Sequence, residues 1–283
     1  ESNGQGHETT FKQIASTRLG VPIEVLEYIQ ADTEQVTIGF GHGGARSMHM
    51  GAGTMALAID SAIEKAGRVA ATLLQTDIEE LSFDKGAFLT RKDQRSVSII
   101  EVASAARNSD VMPSLGENGI DTFYKREEAP FTFPNGCHAA EVEIDPDTGS
   151  LKLVNYVMVD DYGTLVNPAL TEGQLHGGVV QGIGQALEEF VAFDPETGQL
   201  LSGSLMDYTA PRAASFPFFK AHFQGVPTEA NLLGVKGVGQ AGCIAAPQVI
   251  THAVLNALQE YNIDHIQMPI TSQSLWRSIQ AAS

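Results

Sequence analysis

Residues 232–258 read LLGVKGVGQAGCIAAPQVITHAVLNAL, and glycines at 237, 239 and 242 form a G-x-G-x-x-G pattern ahead of a helical pattern. In a dinucleotide-binding fold this pattern follows a buried strand, opens a helix, and precedes an acidic residue about 20 positions later on a second strand. Here Gly234 interrupts the preceding segment, Pro247 is expected to delay the helix, and Glu260, which has the required spacing, lies on the helix. The sequence therefore argues against a dinucleotide loop.

The rest of the chain shows alternating helical and strand patterns, and we expect an α+β fold of mixed sheets with packed helices. Apolar residues at helical spacing predict helices over residues 11–19, 54–75, 98–107, 172–193 and 247–261. The alternation in VLEYIQ, 25–30, predicts a short strand, and LSFDKGAFLT, 81–90, predicts a hairpin. The glycines in the first half of 172–193 are costly in a helix, so we expect each to have a packing or close-approach role.

A second hairpin is predicted by HAAEVEIDPDTGSLKLVNYVMVDD, residues 138–161. Its central D-P-D-T-G is a turn sequence, because proline presets one backbone angle and glycine accepts a positive one. Between the two hairpins, residues 112–136 are rich in proline and glycine, which is typical of a linker. We therefore predict a first lobe over 1–135 and a second over 136–283, the latter carrying the loops 172–184 and 234–242.

Composition restricts the class of protein. A hydrophobic content of 43% and a charged content of 18% are typical of globular chains, and no apolar run reaches the roughly 18 residues of a membrane span. The net charge of −17 argues against nucleic acid as a partner. Cys137 and Cys243 form no C-x-x-C pair, so neither a disulfide framework nor a metal cluster is indicated, and a cytoplasmic location is expected. The first residue is Glu1, which suggests a fragment or a processed chain.

Four glycine-flanked loops share one property: GQGH at 4–7, GHGGARS at 41–47, EGQLHGG at 172–178 and KGVGQAG at 236–242. Without a Cβ atom, glycine lets backbone N–H groups approach a ligand closely. The loops also carry Gln5, Arg46, Gln174 and Gln240, whose amides and guanidinium suit a ligand rich in amide and phosphate groups. Each loop alone is explained as a turn, but together they predict one ligand site.

Six stretches carry a family resemblance. They are GQGHETTFKQIASTRLGVP, GHGGARSMHMGAG, FPNGCHAAEVEIDPDTGSLKL, VDDYGTLVNPALTEGQLHGGVVQGIGQALEE, GSLMDYTAPRA and LGVKGVGQAGCIAAPQVITHAVLNAL. In this order they resemble the C-terminal molybdopterin-binding half of the xanthine dehydrogenase, aldehyde oxidase and carbon monoxide dehydrogenase large-subunit family. The resemblance implies a molybdenum hydroxylase, which oxidises an aldehyde, purine or N-heterocycle with water as the oxygen source. It also implies molybdopterin with molybdenum as cofactor, often as the cytosine dinucleotide in bacteria.

The resemblance implies roles for individual residues. Gln5 and Gly6 in the first loop would contact the cofactor, as would Gln174. The second loop would line the pterin or nucleotide with Gly44, Ala45, Arg46 and Ser47. The last loop would pass beneath the metal with Lys236, Gly237, Val238 and Gly239. No protein side chain is expected to ligate the metal.

Gln240 departs from the family pattern, which has a Glu that acts as general base at this position. An amide does not take up a proton near neutral pH, so Gln240 orients a ligand at most. Three explanations stay open: a natural variant with altered chemistry, an inactive cofactor-binding paralogue, or an engineered substitution. Ala45 is a milder departure, because a serine commonly precedes the arginine in bacterial relatives.

The resemblance also implies partners. A first molybdopterin-binding half, on the same or a separate chain, would complete the pocket, and iron–sulfur and flavin (FAD) subunits would carry electrons away. This chain alone is then not expected to turn over a small-molecule substrate. The alternative, which Gln240 raises, is a non-catalytic module for cofactor binding or assembly.

The remaining polar candidates have structural explanations. A metal site built from His7, His42, His49, His138 or His176 lacks the helical i, i+4 spacing of known sites, and His176 is the one to test as a substitute base. Cys243 is expected to be a small buried cysteine. Asp160, Asp161 and Asp207 are expected at solvated strand ends or turns, and Ser47 and Ser202 lack a nucleophile-elbow setting.

Overall fold

A computed structural model of the chain describes residues 1–36, 38–39, 41–108, 119–126 and 130–282. The described helices are α1 (His7–Leu19), α2 (Gly53–Leu74), α3 (Ile99–Ala106), α4 (Pro168–Leu187), α5 (Ala241–Ala257) and α6 (Ser272–Ala282). The described strands are β1 (Leu81–Asp84), β2 (Ala87–Thr90), β3 (Ser96–Ser98), β4 (Asn135–Ile144), β5 (Leu151–Asp161) and β6 (Lys220–Phe223). The predicted α+β class is confirmed. Within these residues no helix is long and apolar enough to cross a membrane.

The chain divides into two compact units. The first comprises residues 1–132 and 227–235, and the second comprises 133–226 and 236–283. The chain thus leaves the second unit after Val226 and rejoins it at Lys236. The lobe boundary predicted near residue 135 remains a prediction. The predicted linker, 112–136, lies partly outside the described residues.

The first unit packs α2 and α3 against a small antiparallel sheet ordered β1-β2-β3. Its core contains Val69, Phe88 and Val102, so the apolar stripe of α2 meets one face of the predicted hairpin at 81–90. A capping box begins α3: the Ser98 hydroxyl accepts from Glu101 N, and the Glu101 carboxylate accepts from Ser98 N. Ahead of α2 lies one short π-helix over Ser47–Ala52, a rare conformation that is frequent at functional sites.

The second unit is built on the predicted hairpin of β4 and β5, to which β6 adds in parallel. The turn forms as the sequence predicts: Gly149 has φ +69° and donates to Asp145 O at 2.8 Å. Tyr156 and Met158 point from β5 into a core shared with α4, α5 and α6. The α4 helix begins with Pro168 in its first turn, and the Asn167 side chain accepts from Leu170 N at 3.0 Å.

Glycines let α4 and α5 approach to backbone contact. A methyl group on Gly178 would lie 3.3 Å from Gly242 Cα, and one on Gly182 would lie 2.7 Å from Ala246 Cβ. One on Gly242 would lie 2.6 Å from Leu175 O. The expected packing role is confirmed at these positions, whereas Gly177 has open space where its Cβ would be. The third glycine of the G-x-G-x-x-G pattern therefore serves helix packing.

Two local predictions are wrong. Val25 ends a short 3-10 helix over Ile23–Val25, and residues 26–30 belong to no described strand, because period-two alternation does not supply a partner edge. Helix α5 begins at Ala241 and not at Pro247, which lies in its interior. The proline ring packs on α4, with Cδ 2.9 Å from a methyl placed on Gly182.

Candidate cofactor site

In the first unit the structure brings two of the predicted loops together. The rings of His7 and His42, one from each loop, meet edge to face with centroids 6.3 Å apart. Burial lowers the pKa of His7, so its ring is neutral at pH 7. The Gln5 side-chain oxygen accepts from Asn3 N at 2.7 Å, and Gly6 precedes α1 in a left-handed conformation. The side-chain oxygen of Gln5 thus accepts a hydrogen bond within its own turn, so Gln5 would contact a ligand through its amide nitrogen.

The second loop turns sharply before the π-helix. Gly44 has φ +72° and Ala45 has φ +55°, and no atom lies within 4 Å of a methyl placed on Gly44. Arg46 Nε donates to Gly41 O at 3.2 Å, so this side chain helps to close its own loop. Ser47 is the first residue of the π-helix. The two successive left-handed residues thus form a tight turn, and the space beside Gly44 is open.

In the second unit the other two loops are neighbours. A methyl on Gly239 would lie 3.8 Å from Gln174 Oε1, so this amide lies directly beside the glycine. Gln240 immediately precedes α5, with φ −113° and ψ −3° and an exposed side chain. The contact between Leu175 and Gly242 fixes the amino-terminal part of α4 against that end of α5. Gln174, Gly239 and Gln240 therefore share one end of the helix pair, where α5 presents its amino-terminal N–H groups.

The Lys236–Gly239 segment is held by a buried carboxylate, Asp161, which was expected from the sequence to be solvated. Lys236 Nζ donates to Asp161 Oδ2 at 2.5 Å, and Lys236 N donates to Tyr162 O at 2.9 Å. Asp161 Oδ1 accepts from Gly163 N at 2.8 Å and from Val226 N at 2.9 Å. Burial raises the pKa of Asp161, but the hydrogen bonds from Lys236, Val226 and Gly163 outweigh it and bring the pKa to about 2.

This pKa predicts a pH-dependent contribution to stability. Because the folded value is below the value near 3.9 of an unfolded Asp, the contribution is present above about pH 4 and is lost as pH falls through 2. We expect Asp161→Asn to lower the free energy of unfolding near pH 6 by roughly 2 kcal/mol. The difference in unfolding free energy between the variant and the unmodified chain should disappear toward pH 2. Urea unfolding over this range measures it. A gap that does not vary with pH would contradict the assignment.

A second buried group lies next to the first. His138 Nδ1 is 3.0 Å from the Tyr156 hydroxyl, and His138 Nε2 is 3.2 Å from each Asp160 oxygen. Asp160 is 4% exposed, and burial together with this carboxylate raises the pKa of Tyr156. The interpretation of Asp160 and Asp161 as solvated is therefore wrong, whereas Asp207 lies in an exposed turn and accepts from the Ser204 hydroxyl. Period-two alternation from Tyr156 could have placed Asp160 in the core.

Comparison with known proteins decides the family. The family model of the molybdopterin cofactor-binding domain matches residues 1–217. The chain belongs to this family.

Relatives of this molybdopterin-binding domain are large subunits of hydroxylases and dehydrogenases. The carbon monoxide dehydrogenase large chain of Hydrogenophaga pseudoflava is 32% identical over 99% of this chain and 34% of its own length. The nicotine 6-hydroxylase large subunit of Paenarthrobacter nicotinovorans is 34% identical over 98% of this chain and 34% of its own length. The chain thus spans about a third of the length of the curated relatives that it matches.

Solved structures share the fold. A crystal structure of a Cu,Mo carbon monoxide dehydrogenase in its carbon monoxide-reduced state matches with a TM-score of 0.92 and 31% identity, covering 100% of this chain and 35% of that one. Quinoline 2-oxidoreductase from Pseudomonas putida 86 matches with a TM-score of 0.81 and 32% identity, covering 99% and 36%. The resemblance recognised in the sequence is therefore confirmed at the level of family and fold.

The other polar candidates are accounted for within the units. The His176 ring meets Phe218 and Phe219 edge to face, and Nε2 is buried without a hydrogen bond, 3.8 Å from the Glu172 carboxylate. Burial and then the charge of Glu189 raise the pKa of Cys243, which disfavours a reactive thiolate. Across the described ranges, no three His, Cys, Asp or Glu side chains are grouped to hold a metal.

The residues at the predicted positions fit a pterin cofactor. The donor set consists of backbone N–H groups, side-chain amides and a guanidinium, which suits a ligand with ring amides and phosphates. In the second unit, Gln174 and Gln240 supply such amides at the amino terminus of α5, where negative charge is favoured. In the first unit the open space beside Gly44 would let a ligand approach the backbone closely.

Proposed function

We propose that this chain forms the second half of the molybdopterin-binding unit in the large subunit of a molybdenum hydroxylase. Family membership is the observation that carries the proposal, since residues 1–217 match the molybdopterin cofactor-binding domain. The relatives named carbon monoxide dehydrogenase and nicotine 6-hydroxylase support a large-subunit origin. The whole enzyme would oxidise an aldehyde, purine or aromatic N-heterocycle with oxygen from water, in the cytoplasm.

In this proposal Gln5, Gly6, Gly44 to Ser47, Gln174 and Lys236 to Gly239 bind molybdopterin, as the cytosine dinucleotide in a bacterial enzyme. The cofactor supplies the redox chemistry when bound, and these residues supply its orientation. The neighbouring positions of Gln174 and Gly239 support the second-unit contacts, and the His7–His42 contact supports a shared role for the two first-unit loops. The first molybdopterin-binding half and the iron–sulfur and flavin subunits are the proposed partners.

The test uses the assembled complex that contains this chain. We expect about one molybdenum and one pterin per chain by elemental and pterin analysis, and bleaching of the flavin on addition of a substrate from the proposed classes. Aldehydes, purines and N-heterocycles form the panel. A complex without molybdenum would contradict cofactor binding.

A non-catalytic role is the second candidate, because Gln240 stands where the family has its Glu base. Full molybdenum occupancy with no flavin bleaching by any member of the panel would favour a module for cofactor binding or assembly. Bleaching by one class, at a rate that depends on substrate concentration, would favour the enzyme and identify the substrate class.

A further inference from the structure

We propose that Asp161 is a positioning residue, which fixes the Lys236–Gly239 loop against the cofactor through its contact with Lys236. The inference rests on the proposed function, because the loop matters to chemistry only if it binds the cofactor. Its basis is the convergence of four hydrogen-bond donors, from four stretches of the chain, on one carboxylate.

The donors join segments that are far apart in sequence. Oδ1 accepts from Gly163 N and Val226 N, while Oδ2 accepts from Lys236 Nζ and from Asn135 Nδ2, the last at 3.3 Å. Val226 and Lys236 are the residues at which the chain leaves and rejoins the second unit. One carboxylate therefore holds both ends of the 227–235 excursion, and the loop begins at the second of these ends.

Neighbouring backbone contacts make this arrangement tight. A methyl on Gly225 would lie 2.2 Å from Gly163 O, so the 224–226 segment reaches Asp161 only because residue 225 has no side chain. Lys236 N donates a hydrogen bond to Tyr162 O, which fixes the backbone where the loop begins. The Lys236 ammonium is mostly buried, with 11% of the side chain exposed, and a buried cation needs a paired anion. Removal of the Asp161 charge should therefore release Lys236 and the loop that follows.

The substitution Asp161→Asn is close in shape and keeps an oxygen for Gly163 N and Val226 N, but it removes the negative charge that faces Lys236. In the assembled complex we expect it to weaken cofactor retention by about 10- to 100-fold, the range typical of residues that orient a metal site through a ligand. Lys236→Met should weaken cofactor retention by a similar factor. The double variant should retain the cofactor as well as whichever single variant retains less of it. Lys236→Arg, which keeps the cation, should retain most of the cofactor.

Hydrogen exchange separates positioning from general instability. In Asp161→Asn we expect exchange at the amides of Gly237 and Gly239 to accelerate more than exchange at the amides of β4 and β5, which follows only the lower free energy of unfolding. Asp207→Asn, the same substitution in an exposed turn, is the control and should change neither cofactor retention nor exchange.

Each outcome decides between explanations. Unchanged retention in a folded Asp161→Asn complex, or additive losses in the double variant, would overturn the positioning role and leave the proposed function intact. Acceleration of exchange in β4 and β5 as large as that at Gly237 and Gly239 would also overturn it, in favour of a general structural role. An unmodified complex that holds no cofactor would overturn the proposed function and this inference with it.

Discussion

Gln240→Glu is expected to raise turnover of the assembled enzyme by about 10²- to 10⁴-fold, the usual contribution of a general base. Gln240 lies at the amino terminus of the 17-residue helix α5, and its side chain is exposed and makes no capping hydrogen bond. The helix dipole at this end favours a negative charge, so a Glu would be ionised at neutral pH and able to accept a proton. The measurement is steady-state kcat with the substrate that bleaches the flavin.

Gln199→Glu is the matched control for this change. It introduces the same carboxylate at an exposed glutamine of the second unit, in the 194–200 turn, and should leave kcat unchanged. A parallel variant, His176→Gln, tests whether His176 already acts as a substitute base, in which case kcat would fall. No gain from Gln240→Glu at full molybdenum occupancy would contradict the account of Gln240 as a missing base.

Gly182→Ala is expected to destabilise the second unit by about 1–3 kcal/mol, the cost typical of overpacking a tight core. The added methyl would lie 2.7 Å from Ala246 Cβ and 2.9 Å from Pro247 Cδ, so α4 and α5 must move apart. The single tryptophan, Trp276, lies on α6 of the same unit, so its fluorescence in urea reports the unfolding directly.

Gly177→Ala, in the same helix, is expected to stabilise the second unit instead. The site is exposed and its Cβ would meet no atom within 4 Å, so the gain in helix propensity should stabilise by about 0.5–1 kcal/mol. If both variants shift the urea midpoint in the same direction, the close packing of α4 on α5 is not what the glycines provide.

Local patterns predicted much of the fold. The apolar period of α2 and the D-P-D-T-G turn of β4–β5 are determined by neighbours in sequence, and both elements formed where expected. Strand β6 was not predicted, because its four residues pair in parallel with Val157–Asp160 across more than 60 residues and carry little signal of their own. Residues 25–30 show the converse, since strand-like alternation is not sufficient without a partner strand.

The site residues remain a prediction, but the glycine patterns that identified their loops follow from the freedom of the backbone at glycine. Glycine patterns identified the four loops, and the fold places them as neighbours within each unit: His7 with His42, and Gln174 with Gly239. Asp161 was missed because strand alternation places it opposite the core face of β5. Its burial depends on Val226 and Lys236, which are distant in sequence.

The most direct test of the central claim is an experimental structure of the assembled complex with its cofactor bound. We predict that the pterin, with its dinucleotide extension if present, lies within hydrogen-bonding distance of the loops at 4–7, 41–47, 172–178 and 236–242, with Gln174 and the Lys236–Gly239 segment among the contacts. A cofactor bound elsewhere, with these four loops facing separate surfaces, would contradict the account.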